Sequence, residues 1–283
     1  MSKTILITGG TGFVGSNLIQ YLNSNYEVIN LGRNKNHLCK NIYWDLKEQL
    51  DKKINFKVDV IIHCASIVGN SDINKSEYID INVKSTLELL EFCYKKRIKK
   101  FIYISTGGVY GYNKDISNEE DCCSPIDIYS LSKYFSEQLC DLYNKNISII
   151  ILRLFFPYGN SNNTRLINNL IENIKQEKEI TLNKNGLPLI NPIHISDVIN
   201  VLSKLVEVNC EGTFNLCGDE YISIENLCYK IASILKKDNL NLIYKDKAIS
   251  NLIGSNSKIC ELLNYKMSTN LNEGIKRIIL EYR

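Results

Sequence analysis

The chain has 283 residues, with 34 Lys and Arg against 31 Asp and Glu for a formal charge of +3, 44% hydrophobic and 23% charged residues, 15 Gly and 4 Pro. These are the proportions of an ordinary globular protein, and they exclude a disordered, collagen-like or polybasic chain. The length permits one large α/β domain or a large domain with a smaller lobe, and either has a core that needs no disulfide or metal staple.

Met1-Ser2-Lys3 leads into Thr4-Ile5-Leu6-Ile7-Thr8, an apolar run too short for a signal sequence or a membrane span, so a cytoplasmic protein without a membrane partner is expected. Lys3 to Thr8 reads as a strand. Phe13 to Ser24 reads as a helix, with Phe13, Val14, Leu18, Ile19 and Leu22 at helical spacing. Strands are predicted at Tyr26 to Leu31, Val58 to His63, Lys100 to Ser105 and Ser148 to Arg153, with helices over Ile79 to Tyr94 and Ile128 to Tyr143. Such alternation makes a parallel sheet covered on both faces, a doubly wound α/β fold of the Rossmann type.

Past Pro157 the pattern turns mostly helical, at Arg165 to Gln176, Ser196 to Val208, Ile224 to Leu235 and Leu271 to Tyr282, with short strand candidates at Leu189 to Ile193 and Thr213 to Leu216. The expected division is a dinucleotide-binding domain over 1–157 and a smaller, mainly substrate-binding lobe over 158–283, whose strands either stay in that lobe or return to the main sheet. The longest basic run, Lys95-Lys96-Arg97 with Lys99-Lys100, reads as a solvated helix end, so no nucleic-acid partner is expected. The ten cysteines include no C-x-x-C pair, and His37, His63 and His194 fall at no metal-ligand spacing. No metal is expected, and most thiols read as small core residues in a reducing compartment.

Thr8-Gly9-Gly10-Thr11-Gly12-Phe13-Val14-Gly15 joins the first strand to the first helix, the context of a dinucleotide fingerprint. Glycines there allow a tight turn, and the helix N-terminus with its open N–H groups favours a pyrophosphate. An acidic residue after the second strand would accept a ribose 2′-OH, but this chain reads Leu31-Gly32-Arg33-Asn34. Arg33 offers a charged fork for a 2′-phosphate, which favours NADP(H) over NAD(H), although an ordinary exposed arginine is the alternative. Asp45 in Trp44-Asp45-Leu46 is a candidate adenine contact or a plain loop carboxylate.

Tyr129-Ser130-Leu131-Ser132-Lys133 places a phenol and an ammonium one turn apart on a helix face. A nearby cation favours the phenolate, which turns a weak base into a usable one at neutral pH. The strand ending in Ser105-Thr106-Gly107-Gly108-Val109-Tyr110-Gly111 brings hydroxyls to the carboxyl end of a doubly wound sheet, where ligands bind.

With these motifs, His63-Cys64-Ala65-Ser66, Asn82 in Asn82-Val83-Lys84-Ser85-Thr86, and the later segments Arg153-Leu154-Phe155-Phe156-Pro157-Tyr158-Gly159, Asn191 to Val198 and Gly212 to Leu216, the chain resembles the extended short-chain dehydrogenase/reductases. Within them it is most similar to the NAD(P)-dependent nucleotide-sugar epimerases and dehydratases. The resemblance implies Tyr129 as acid/base, Lys133 as its modulator and holder of the nicotinamide ribose, and Thr106 as the active-site hydroxyl. It implies an NAD(P)(H) cofactor along Gly9, Thr11, Gly12, Phe13, Val14 and Gly15, at Arg33, Asn34, Asp45 and Leu46, and at His63, Cys64, Ala65, Asn82, Ser105, Tyr129 and Lys133.

For His63 a buried ring satisfied by backbone is the alternative. The implied reaction is 4-ketoreduction or C4 epimerisation of a nucleotide-activated sugar; a non-catalytic dinucleotide sensor on the same fold is the alternative. Gly107-Gly108 stand where the family's dehydratases carry Asp-Glu, which disfavours dehydration. Phe156 stands where many epimerases have Asn. Thr106, Gly107, Phe156 and Arg165 are the candidate substrate contacts, Arg165 reading equally as a solvated helix-start arginine. His194 and Asp197 brace the second lobe in the family or make a structural bond at a helix start. A homodimer through the helices at 79–94 and 128–143 is expected from the same resemblance.

Overall fold

Uninterrupted runs of Ile, Leu and Val form the strands that are buried on both faces. The computed structural model describes residues 2–46, 48–50, 53–69, 73–113, 115–160, 165–247 and 249–281. β1 (Thr4–Thr8) is wholly buried and passes through the glycine turn into α1 (Phe13–Leu22). β2 (Glu27–Gly32), β3 (Lys40–Tyr43) and β4 (Val60–His63) follow. α2 (Lys75–Tyr78) precedes the one helix expected over 79–94, which is two pieces: a π-helical turn over Ile79–Val83 and α3 (Lys84–Lys96). The wider turn carries Asn82, a polar residue that is 1% exposed, into the interior. β5 (Lys100–Thr106), α4 (Ile128–Tyr143) and β6 (Ser148–Leu154) complete this half of the chain.

The remaining elements are β7 (Pro157–Tyr158), α5 (Leu166–Lys175), β8 (Ile180–Asn183), β9 (Leu189–Ile190), β10 (Ile193–His194), α6 (Ile195–Glu207), β11 (Gly212–Leu216), β12 (Ile222–Ser223), α7 (Ile224–Leu235), β13 (Leu242–Lys245), α8 (Ser257–Leu263) and α9 (Leu271–Glu281). Tyr282, the expected end of the last helix, lies outside the described residues. Among those described, no helix is long and apolar enough to cross a membrane.

The main sheet has seven strands in the order β11-β6-β5-β4-β1-β2-β3. The strands from β3 to β5 pair in parallel, in a register that sets Leu31, Thr8, His63 and Tyr103 in one row. Side chains of that face, with Leu89, Leu90, Phe92 and Cys93 of α3 and Cys140 of α4, form one hydrophobic core. β3 departs from the sequence pattern because Lys40-Asn41-Ile42-Tyr43 is largely exposed at the sheet edge and carries no apolar run. The candidate strand near 213 is the opposite edge of this sheet, beside β6.

Packing separates two units, neither of them continuous: Met1–Val109, Cys123–Arg153 and Ile199–Phe214 form the first, and Tyr110–Cys122, Leu154–Val198 and Asn215–Arg283 the second. In the first, Lys100 Nζ donates to the carbonyls of Leu205 (2.9 Å) and Val208 (2.6 Å), capping the last turn of α6. The second has its own core around α5, α7 and α9. There Asp197, 1% exposed, accepts from Tyr265 Oη (2.6 Å), Ser268 N (2.8 Å) and Thr269 N (3.1 Å) and pins that loop. His194 Nδ1 meets Ser196 Oγ at 2.7 Å beside it in sequence. Of the ten free cysteines, Cys93, Cys140, Cys217 and Cys228 are buried, and Cys122 is exposed.

Candidate active site

Two glycines fix the turn after β1. Gly9 has φ 70°, and a Cβ there would stand 2.8 Å from the Ala65 nitrogen; one on Gly15 would stand 2.2 Å from the Gly9 carbonyl oxygen. Helix and strand therefore approach as closely as backbone allows. The α1 N-cap is Gly12, with no side-chain cap and no acidic residue in the first turn. Phe13 and Val14 bury their side chains, so they offer an anion their backbone alone, while Thr11 and Gly12 are exposed. This uncapped, positively polarised helix start behind a side-chain-free turn fits a dinucleotide pyrophosphate.

At the adenosine end of that fingerprint, β2 closes on Gly32, and Arg33 and Asn34 are exposed. Asp45 and Leu46, both half-buried, lie just beyond β3, with Leu46 packed against the core. A lattice of asparagines underlies this loop. Gly10 N donates to Asn30 Oδ1 (3.2 Å), Asn36 Nδ2 to the Gly10 carbonyl (2.7 Å), and Asn30 Nδ2 to the Asn34 carbonyl (2.9 Å) and to Asn41 Oδ1 (2.8 Å). The pyrophosphate turn and the Arg33 loop are thereby one hydrogen-bonded body. Nothing in the spacing of these asparagines announces it, because the lattice depends on the β2–β3 register.

His63, expected along the cofactor, is fully enclosed. Its partners are side-chain hydroxyls rather than backbone: Nδ1 meets Thr8 Oγ1 at 2.6 Å and Nε2 meets Thr86 Oγ1 at 3.2 Å. Thr86 donates its own proton to the Asn82 carbonyl (2.7 Å), so Nε2 carries the imidazole proton and Nδ1 accepts from Thr8. Burial, reinforced by the Lys133 charge, holds the ring well below its ordinary pKa and keeps it neutral. Asn82 is likewise a brace inside the protein: it accepts from Ile67 N (2.8 Å) and donates to the Ile67 carbonyl (3.1 Å) and to Ser132 Oγ (2.9 Å). Cys64 and Ala65 are half-buried where the chain leaves β4, and Ala65 N donates to Thr8 Oγ1 (3.1 Å).

α4 starts at Asp127, whose carboxylate accepts from Ser130 N (2.7 Å) as an N-cap. Ser130, Ser132, Lys133, Ser136, Glu137 and Cys140 form its buried face. Small serines allow close packing on the π-helical turn, where Ser136 Oγ donates to the Asn82 carbonyl (3.1 Å). Tyr129, in the first turn, is half-buried. Beside it Ser130 Oγ presses on Gly108, where an added Cβ would lie 2.6 Å from that oxygen and 3.4 Å from Thr106 Oγ1. The helix start and the tip of β5 thus meet, and no side chain fits at 108. Thr106 Oγ1 accepts from Gly108 N (3.1 Å), which leaves its proton to point elsewhere. Gly107 is buried in the same turn.

Lys133 is 2% exposed, and burial pulls its ammonium down to about 7. Its Nζ lies 4.1 Å from the centroid of the Tyr103 ring. One helical turn further, Glu137 accepts from Arg153 Nη2 (2.8 Å) and from Ser105 Oγ. Arg153 and Glu137 are 8% and 1% exposed at their side chains, a buried ion pair beneath the strand tips. Ser105 therefore faces inward to that pair. The sequence motif singles out neither Tyr103 nor Glu137; the signal was a carboxylate on an otherwise apolar and small-residue helix face, four residues beyond Lys133.

In the second unit, Arg165 is the half-buried N-cap of α5. Phe156 has φ 42°, a left-handed conformation that costs a bulky aromatic side chain more than it costs Asn. Backbone geometry is thus a second reason, besides a polar contact, for asparagine at such a position.

Residues 5–217 match the model of the NAD dependent epimerase/dehydratase family. A Bacillus subtilis relative named "Uncharacterized UDP-glucose epimerase YtcB" is 29% identical over 301 residues, covering 96% of this chain and 95% of its own. The dTDP-D-glucose 4,6-dehydratase of Dictyostelium discoideum is 31% identical over 82% of this chain and 62% of its own. Among solved structures, the UDP-glucuronic acid 4-epimerase of Bacillus cereus in complex with UDP-glucuronic acid and NAD superposes with a TM-score of 0.88 at 27% identity, over 99% of this chain and 100% of that one.

Proposed function

The chain belongs to the NAD-dependent epimerase/dehydratase family and is an enzyme of the extended short-chain dehydrogenase/reductase type, and from that premise we propose that it oxidises and reduces C4 of a nucleotide-activated sugar without removing water. The observation that carries this reading is the junction of α4 with the β5 tip. Tyr129 and Lys133 lie on α4, whose Ser130 meets the β5 tip at Gly108 beside Thr106, and glycines occupy 107 and 108, the latter sealed by Ser130. Proton removal at a neighbouring carbon needs an acid or base that this turn does not carry.

A bound nicotinamide dinucleotide supplies the hydride acceptor and donor. The residues that would hold it are the glycine turn and α1 start at its pyrophosphate, the Arg33 loop at its adenosine and Lys133 at its nicotinamide ribose. Among the described residues Lys133 Nζ is hydrogen-bonded to no protein acceptor, so its N–H groups are available to a ribose diol. Tyr129 takes the proton of the sugar hydroxyl on its phenolate oxygen and returns it in the reverse direction. Lys133, as ammonium, stabilises the phenolate. Thr106, already accepting from Gly108, donates to the substrate oxygen. Neutral His63 holds the row of strands beneath them.

Gly32 and Arg33 favour NADP(H), and with it net 4-ketoreduction rather than epimerisation. Arg33 is exposed, and no ion-pair partner for it is found among the described residues, which leaves the guanidinium open to a 2′-phosphate. Replacing Arg33 by Ala is expected to weaken NADPH binding by about tenfold and NADH binding by less than about twofold, measured by quenching of nucleotide fluorescence. Equal losses would remove Arg33 from 2′ recognition. The function itself is tested by incubation with UDP-glucose, UDP-glucuronic acid and a 4-keto sugar nucleotide. Either stoichiometric NADPH oxidation with the ketone or formation of the C4 epimer without net cofactor turnover is expected. Loss of water from the sugar, or no reaction with any of the three, would defeat the reading. The exposed Leu87 and Tyr94 of α3 and Phe135 and Leu142 of α4 support a homodimer through these helices.

A further inference from the structure

Lys133 has a neighbour that the Y-x-x-x-K pattern does not contain. Its ammonium, 2% exposed, stands 4.1 Å from the centroid of the Tyr103 ring in β5. That ring has no freedom to move away. It is 0% exposed, belongs to the core between the sheet and α3 and α4, and lies 5.6 Å from the His63 ring in the adjoining strand. The Tyr103 hydroxyl contributes nothing comparable: it is buried with no hydrogen-bond partner, and the Ser136 hydroxyl near it is turned to the carbonyls of Asn82 and Ser132. What this side chain offers its surroundings is the face of its ring.

The charges around the ammonium make that face matter. Glu137, on the same helix, is the carboxylate that faces it, and it is held by Arg153 and Ser105. Cys64, from the segment after β4, and Cys140, from α4, are thiols that burial keeps protonated. His63, from β4, is neutral. Tyr129 is the remaining titratable group near the ring. A desolvated cation among neutral groups, with its one carboxylate already paired, draws its stabilisation from the negative face of an aromatic quadrupole.

We propose that the Tyr103 ring is a cation–π platform that fixes the Lys133 ammonium where it acts on Tyr129, which makes Tyr103 a positioning residue. This rests on the reading of Tyr129 and Lys133 given above. A ring beneath the ammonium holds it in place while leaving its N–H groups free for a ribose diol, which a carboxylate partner would not do.

The test uses cofactor-free protein labelled with ¹³C at lysine Cε, with the Lys133 signal identified by its loss in Lys133→Met. In the unaltered protein the Lys133 Hε resonances are expected upfield of every other lysine, displaced by the ring current. Hε shifts at the solvent-exposed lysine value would overturn the proposal without any ring variant. Tyr103→Phe keeps the face and removes only the unpartnered hydroxyl, so the Lys133 midpoint is expected to stay in place. Tyr103→Leu, or Tyr103→Met if the leucine protein does not fold, is expected to lower that midpoint by about one pH unit. A midpoint that does not move in the Leu or Met protein overturns the platform. In the loaded enzyme the same variants are expected to move the acid limb of kcat/KM upward, because less ammonium remains to stabilise the phenolate, and Tyr103→Phe should restore it. Turnover surviving in Tyr129→Phe would sink the catalytic reading while the resonance shift and the midpoint still report on the platform.

Discussion

Tyr129→Phe is expected to lower turnover by about 10²- to 10⁴-fold, the span usual for loss of a positioned acid/base, while changing cofactor affinity by less than about threefold. The substitution keeps the ring and deletes the one oxygen that can carry the proton. Tyr129 sits half-buried in the first turn of α4, and that turn is capped by the Asp127 carboxylate. The fold at 127–133 should therefore survive. Lys133 would still hold its place, so a nucleotide should bind as before. Steady-state kinetics with the substrate found active, together with nucleotide titration on the same preparation, separate the two quantities. A turnover loss matched by an equal loss of affinity would point to damage at the binding site rather than to a missing proton carrier.

The second large effect concerns stability. Glu137→Leu takes from the buried Arg153 its carboxylate partner, and breaking such a pair from one side costs about 3–5 kcal/mol. Arg153→Met is expected to cost a similar amount, since Glu137, 1% exposed, would retain only Ser105 as a partner. At about 2–4 °C per kcal/mol for a chain of this size class, either variant should lower the apparent melting temperature by roughly 10 °C. The double variant Glu137→Leu with Arg153→Met should recover most of the loss, because desolvating two charges already offsets much of their attraction. Calorimetric scans of the four proteins complete the cycle. Additive losses in the double variant would mean that the two side chains stabilise the unit independently, against the bidentate geometry between them.

How much of this is legible in the sequence differs from element to element, for physical reasons. α4 is predicted residue for residue from Ile128 to Tyr143, because its stripe of apolar and small residues keeps one period throughout. β1, β4, β5 and β6 are legible as apolar runs, and their order follows from the alternation with helices. β3 has no such run, since an edge strand with exposed side chains needs none. Of the two-residue strands of the second unit, β9 and the start of β10 fall within the candidate strand Leu189 to Ile193, while β7 and β12 are too brief to leave a period. The interrupted helix before β5 reads as continuous because a π-turn adds a residue without breaking hydrophobicity. At the site, the glycine turn, Tyr129, Lys133 and Thr106 come from local motifs. Tyr103 and His63 come together only across strands, and Glu137 meets Arg153 only once β6 is beside β5. The hydroxyl partners of His63 show the same limit: Thr8 and Thr86 lie 55 and 23 residues away along the chain.

The outer position of β11 bears on how the protein is made. Residues 2–154 supply every strand of the large sheet except that one, yet β6 borders β11 in the finished order. During synthesis from the N-terminus, the backbone N–H and C=O groups along the open side of β6 have no ladder partner until residue 216 has left the ribosome. For that interval the nascent chain presents a strand of Ser148-Ile149-Ile150-Ile151-Leu152-Arg153-Leu154, apolar and unguarded, of the kind that templates pairing with other chains. The lysine clasp from Lys100 to the end of α6 can form only after the same delay. A fragment ended at the apparent domain limit near 157 would keep this vulnerability permanently, and any excised nucleotide-binding half has to carry residues 199–216 with it.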